Sequence, residues 1–330
     1  MNAAEDLFRA AARAGHTVLP RDVALRTVST SDVDSAVVAG TLVEVEWRGA
    51  PAWALTDVAE SEELLADGLT TLAEENRLAV VAGPDPAGRR VALARALGSG
   101  VPSVVLDDAH RVGLDDVLAA VEDLPEDAVL VLSLDNGLPL GAVTGAVALD
   151  VAASGSCPVL VGDAERDPRA LGAARAAVAA GRWTTPGRDD RSLVLVPVAS
   201  PDECLVRVRQ LVSTSIPRAF GASEIGVVVT DPDGVVGVAA VRAALGDVPV
   251  VEVVAAVDAV DRVWPAAVVV LPGVVTPTLT RAVVYAGLRA GRDHVSLVHG
   301  FGPDAAALAQ LVATTTDRPR RTRLTELLRP

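Results

Sequence analysis

The sequence contains no lysine. All 29 basic residues in a chain of 330 are arginine, so no lysine ammonium is present to serve a phosphate-binding loop. Aromatic residues are scarce too. Four Trp, three Phe and one Tyr leave little from which to build stacking platforms for single-stranded bases. The two cysteines, Cys157 and Cys204, have neither metal-ligand nor redox spacing, and are expected as small core residues in a reducing compartment. Half the residues are hydrophobic, yet no apolar run is long enough to span a bilayer. No signal-peptide pattern precedes the amphipathic start AAEDLFRAAARAG, so the expected location is cytoplasmic. Positive charge is in deficit: 43 acidic residues oppose 29 basic ones, and the net charge is −14. That is the reverse of the balance of a freestanding nucleic-acid binder.

Against these absences stands one organised stretch, Leu78 to His110. An apolar run, Leu78–Ala82, feeds a Gly/Pro-rich turn, Gly83–Gly88. A helix-period segment, Arg89–Leu97, follows, and a second apolar run ends in Asp107 and Asp108. This is the order of a phosphate-binding P-loop and a Walker B strand. In such a site phosphates rest on backbone N–H groups at a helix N-terminus, and the strand-end carboxylate holds Mg²⁺. The spacing Gly83-x-x-x-x-Gly88 fits G-x-x-x-x-G-K-[ST], but Arg89 and Arg90 stand where the lysine and the metal-binding hydroxyl belong.

Taken in order, residues 1–60 are expected to form a small winged-helix-like module. Glu5–Ala14 is an amphipathic helix, Pro20–Val28 opens a second, and Thr41–Trp47 with Pro51–Leu55 makes the wing. His16 is read as a histidine bonded in a turn. Residues 61–165 are expected as a first α/β domain carrying the loop, with a helix at Asp57–Glu75 leading in, a helix at Leu114–Glu122 and a strand at Ala128–Leu132. Residues 166–190, rich in Arg, Gly, Asp and Pro, are the expected linker. Residues 191–330 are a second α/β domain, with strands expected at Leu193–Pro197, Ile225–Thr230, Val250–Val254, Ala267–Leu271 and His294–Val298. Apolar runs alternating with helix-period segments imply parallel sheets covered by helices. The closing arginine cluster, Arg318, Arg320, Arg321 and Arg323, is read as solvated charge before a short helix.

These residues resemble RecD-type DNA helicases of superfamily 1, collinearly from near residue 7 to the end. AGHTVLPRD is similar to the start of that family's winged-helix segment. VVLDDAHRV stands where the family has a strand ending Asp-Glu-Ala-Ser, and VLVLSLDNGLPLGAVTGAVALDVAASG is similar to its Gly-Asp-x-x-Gln-Leu-Pro strand and the helix after it. LVSTSIPRAFG with IGVVVTDPDGVVGVAAVRAAL looks like the opening of the second motor domain. TRAVVYAGLRAGRDHVSLVHG looks like the arginine-finger helix and final strand. The fold this implies is two RecA-like, P-loop NTPase-type parallel-sheet domains behind the winged-helix-like module.

The departures fall on the chemistry and spare the scaffold. The family's Lys-Thr is Arg89-Arg90, and its Asp-Glu pair is Asp107-Asp108, which keeps a possible Mg²⁺ ligand in Asp107 but shortens the second carboxylate. Its Gly-Asp-x-x-Gln sensor aligns with Ser133-Leu134-Asp135-Asn136-Gly137. Its finger arginine aligns with Ala290, flanked by Arg289 and Arg292. The strand Thr-x-His-Lys-Ser-Gln-Gly is replaced by Val254–Val263, and the family's DNA-contacting insertions are missing. The degenerate nucleotide site implied is Gly83, Gly88, Arg89, Arg90, Arg289 and Arg292, with Asp107 and Asp108 as vestigial catalytic carboxylates. Arginine keeps the charge of the lysine but not its compact point geometry. The expected function is a helicase-like pseudoenzyme, a non-motor subunit that binds another protein with a basic surface or associates with itself. ATP and Mg²⁺ are expected at low affinity if at all, DNA only weakly or through the partner, and no membrane is expected. The alternatives are an ATP-dependent helicase with an atypical site and a nucleotide-sensing regulator without turnover.

Overall fold

A computed structural model describes residues 2–329, apart from 99, 136, 140–142, 163–166, 188–189, 222–223, 247, 249–250, 261, 277, 303–305 and 315–319. The chain divides into two units. The first comprises Met1–Asn136, Leu140–Glu165 and Pro319–Pro330, and the second Gly137–Pro139 with Arg166–Arg318.

The first unit begins with a helical module. Asn2 caps α1 (Ala3–Arg13), and β1 (Leu19–Pro20) leads into a single turn of helix, α2 (Arg21–Ala24). That turn is shorter than the Pro20–Val28 helix expected. Arg26 and Thr27 instead close tight bonds back to Val23 and Ala24. A further helix, α3 (Thr30–Val38), starts at Ser29, whose hydroxyl and the Asp32 carboxylate form a reciprocal capping box. The wing is a hairpin of β2 (Leu42–Trp47) and β3 (Ala50–Leu55). Arg48 and Gly49 turn it at positive φ, as a tight hairpin turn requires. The antiparallel order is β1-β3-β2, and Phe8, Leu19, Val33, Leu42, Trp53 and Leu55 fill the core beneath it.

Helix α4 (Thr56–Glu74) carries the chain into a four-stranded parallel sheet. Its elements are β4 (Leu78–Ala82), α5 (Pro86–Leu97), β5 (Ser103–Leu106), α6 (Leu114–Glu122), β6 (Val129–Leu134), α7 (Val147–Ser154) and β7 (Val159–Val161). The order is β5-β6-β4-β7. β6 lies between β4 and β5, the strand before Asp107. Every residue of β6 is buried, as suits the strand that takes the middle. Leucines and valines of α4, α6 and α7 pack one face, and α5 lays Ala92, Leu93 and Leu97 over Val81, Val129 and Val131 on the other.

In the second unit the expected linker holds a helix, α8 (Ala170–Ala179). Leu171, Ala174 and Val178 are buried in the core, so the loop-like composition of 166–190 belongs to the segments flanking this helix. Then follow β8 (Leu193–Pro197), α9 (Pro201–Gln210), a π-helical turn (Leu211–Ser215), α10 (Ile216–Phe220), β9 (Ile225–Val229), α11 (Val238–Leu245), β10 (Val251–Ala255), β11 (Trp264–Leu271), α12 (Arg281–Arg289), β12 (Gly291–His299) and α13 (Ala306–Thr314). The sheet is parallel, in the order β10-β9-β11-β12-β8, with α8, α12 and α13 on one face and α9, α10 and α11 on the other. Both units are therefore α/β with parallel sheets.

The C-terminal segment groups with the first unit and ends in α14 (Leu324–Leu327). Arg320 and Arg323 are bonded within the protein rather than solvated as expected; Arg318 lies outside the described residues. Arg323 is 6% exposed and Glu62, on α4, is fully buried. Glu62 Oε2 accepts from Arg323 Nε at 3.1 Å, while Oε1 accepts from Thr17 Oγ1 at 2.9 Å and from the backbone N–H groups of Arg323 at 2.8 Å and Leu324 at 3.1 Å. One carboxylate thus caps the last helix, neutralises its arginine and holds the N-terminal module. His16 Nδ1, in its turn, accepts from Arg321 N at 3.0 Å. Removing one partner of a buried pair leaves the other uncompensated, at a cost of about 3–5 kcal/mol. Arg323→Ala should therefore destabilise the protein by about that amount in urea unfolding, and a loss under about 1 kcal/mol, the scale of an exposed pair, would contradict it.

Candidate functional site

The sheet of the first unit reverses its winding direction at β4. From β4 the chain crosses to β5, returns through β6 and then passes β4 to reach β7. In open α/β sheets ligands bind at such a switch point, outside the carboxyl ends of the strands. The loop Gly83–Gly88 occupies that place.

The helix after the loop starts at Pro86, three residues before the Arg89 start expected. Asp85 is its N-cap and Pro86 its first residue, a pairing that favours initiation because proline has no N–H to satisfy and its φ is already helical. The consequence for anion binding follows from the backbone donors one by one. Pro84 and Pro86 have none. Gly83 N donates to Leu134 O at 3.1 Å. Ala87 N and Gly88 N donate to the Asp85 carboxylate at 3.1 and 2.7 Å. Arg89 N donates to Asp85 O at 2.9 Å as the first turn of helix. Among the described residues only the N–H of Asp85 is left. An anion entering this helix N-terminus must displace a carboxylate that the chain already supplies.

Arg89 closes the loop from within. It is 3% exposed. Its Nη1 donates to Gly83 O at 2.8 Å, its Nε to Ser133 Oγ at 3.0 Å, and its Nη2 forms an ion pair with Asp108 Oδ1 at 3.5 Å. The guanidinium therefore joins the ends of β4 and β6 to the turn after β5. The backbone at Gly162, past β7, seals the other side. Gly162 N donates to Ala82 O at 2.8 Å, and a Cβ at 162 would lie 2.7 Å from Arg89 N, so only glycine fits this approach.

The remaining expected site residues divide. Asp108, in the left-handed conformation at φ 52°, reaches Arg89; Asp107 is exposed, as is Arg90. Arg289 and Arg292 belong to the second unit, where Arg292 Nε pairs with Asp293 Oδ2 at 3.1 Å. Two residues that matter here were not anticipated. Asp85-Pro86 carries a readable helix-start signal, whereas nothing local marks Ser133 as the acceptor for an arginine 44 residues earlier.

No family model matches the chain, and no curated protein matches it. Among solved structures, the arterivirus nonstructural protein 10 helicase is similar at 12% identity with a TM-score of 0.36, covering 82% of this chain and 73% of that one. The PRRSV helicase gives 12% identity and a TM-score of 0.35, covering 82% of this chain and 61% of its own. Similarity at this level assigns neither family nor activity.

Lysine at position 89 would restore the residue a working P-loop uses, yet an ammonium cannot span Gly83 O, Ser133 Oγ and Asp108 as the planar fork does. Arg89→Lys should lower stability by about 1–3 kcal/mol in denaturant unfolding, through the acceptors left unpaired. An unchanged midpoint would show that the arginine is not what holds the loop.

Proposed function

We propose that this chain is a helicase-like scaffold, RecD-type by its collinear resemblance, that has given up nucleotide for a binding role as a subunit of a larger protein assembly. The observation that carries the reading is the Asp85 carboxylate on the N–H groups of Ala87 and Gly88, with the Arg89 guanidinium turned back onto Gly83 O. A triphosphate needs those donors and that positive charge, and does not fit a loop in which both are satisfied internally. Phosphoryl transfer rests on positioned charge around the γ-phosphate and a polarised water. Asp107, exposed and apart from Arg89, offers no such constellation.

Two features support a protein partner. The adjacent strands β10, β9 and β11 are followed at their carboxyl ends by exposed valines: Val257, Val235, Val274 and Val275, the second of them 78% exposed. Exposed apolar surface of this kind marks interfaces when it is contiguous. The net charge of −14 suits a partner with a basic surface and opposes DNA, whose binding is led by neutralised phosphates. DNA is then contacted weakly or through the partner.

Calorimetry decides the reading. Mg²⁺-ATP should bind the wild-type chain no more tightly than about 1 mM, with no phosphate release on adding duplex DNA at physiological salt. Asp85→Ala should tighten the binding, since it frees two donors and removes a negative charge, although it deletes a loop residue. Micromolar affinity with DNA-stimulated turnover in the wild type would overturn the proposal.

A further inference from the structure

The first unit contains a second concave site, far from the loop in sequence. The tip of the wing hairpin, α7 and the C-terminal segment enclose a cleft of about 460 Å³, whose walls include Arg48, Asp150, Arg320, Thr322 and Arg329. Its walls are held in place by bonds among these elements. Trp47 Nε1 donates to Thr322 O at 3.0 Å, Arg48 N to Glu326 Oε2 at 3.0 Å, and Thr325 Oγ1 to Asp150 Oδ1 at 3.0 Å. Arg320 is anchored through Nη1 to the carbonyls of Val143, at 2.7 Å, and Gly145.

The charge of the cleft runs against that of the protein. Three arginines face two carboxylates there, Asp150 and Glu326, a formal balance of 3 − 2 = +1 in a chain of −14. Among the described residues, neither carboxylate forms an ion pair with Arg48 or Arg329. Glu326 is occupied by the backbone N–H of Arg48, and the Arg48 guanidinium lies 4.7 Å over the Trp47 ring. Burial lifts Asp150 to about 6, with the Thr322 and Thr325 hydroxyls pulling the other way and Arg320 the weakest influence named. A carboxylate paired with these arginines would be driven down instead. Among the described residues, Arg48 and Arg329 form no ion pair.

We infer that this cleft binds a phosphate-bearing small molecule, with the forks of Arg48 and Arg329 on the phosphate oxygens. Guanidinium forks match tetrahedral oxyanions through paired N–H···O bonds. The volume is that of a small-molecule site and leaves room for more than a bare ion. A nucleic-acid strand is disfavoured by the acidity of the whole chain, which repels a polyanion beyond the cleft while a compact ligand meets only the local arginines. The site is independent of the Gly83–Gly88 loop and does not rest on the reading given for it.

The test is calorimetric titration of the full chain with inorganic phosphate, pyrophosphate, ribose 5-phosphate and, as a carboxylate control, citrate. Ribose 5-phosphate should bind more tightly than inorganic phosphate, and Arg48→Gln and Arg329→Gln should each weaken it by about tenfold or more. Both positions lie at the surface, at a hairpin tip and next to the chain end, and unchanged thermal midpoints will show that the variants fold. No heat with any phosphate probe, binding that survives the Arg48→Gln/Arg329→Gln double variant, or tighter binding of citrate than of every phosphate probe would each overturn the inference.

Discussion

A guanidinium removed from water must find acceptors on every side, and Arg89 finds them at the carboxyl ends of the strands. It reaches Gly83 O past β4, Ser133 Oγ on β6 and Asp108 after β5. Leaving such a group unpaired in the interior would cost several kcal/mol, so those three positions are fixed relative to one another. The loop is then no longer a flexible cradle but the lid over a buried cation. Asp85 completes it from outside by capping the helix that begins at Pro86. The two amides at the start of that helix are already bonded within the chain.

The absence of lysine gives this arrangement its logic. A single ammonium can leave the loop and meet a ligand; a planar fork with five donors tends to be captured by the carbonyls around it. The same preference recurs across the first unit. Arg323 is captured by Glu62 and Ala59 O, Arg77 by the carbonyls of Ala128 and Pro125, and Arg320 by those of Val143 and Gly145. These four arginines are structural cross-links and are not evidence of nucleic-acid contact. The arginines at the wing cleft are of interest because they depart from that pattern.

The scaffold was largely legible. Leu78–Ala82, Ile225–Val229 and Ala267–Leu271 are apolar runs buried on both faces, which is how a parallel strand announces itself. The site was legible only as a place. Gly83-x-x-x-x-Gly88 located the strand-to-helix turn, but which carboxylate would satisfy its donors depended on the helix starting at Pro86 rather than Arg89. Asp107 drew attention as the strand-end carboxylate, while the left-handed backbone at Asp108 is what turns that residue toward Arg89. Arg323 was misread for a plainer reason. Its partner Glu62 lies 261 residues earlier, and no window of sequence contains both. The Arg/Gly/Pro composition of 166–190 likewise masked Ala170–Ala179, a helix whose small residues bury well but carry little periodic contrast.

Closure of the loop depends on Asp85 holding the amides of Ala87 and Gly88. Backbone amide NMR of the ¹⁵N-labelled chain during titration with Mg²⁺-ATP reads those two groups directly. They should stay still in the wild type and move only in Asp85→Ala. Saturable shifts at Ala87 and Gly88 in the wild-type chain would mean that the loop opens for phosphate, and that its self-closure is not what sets its function.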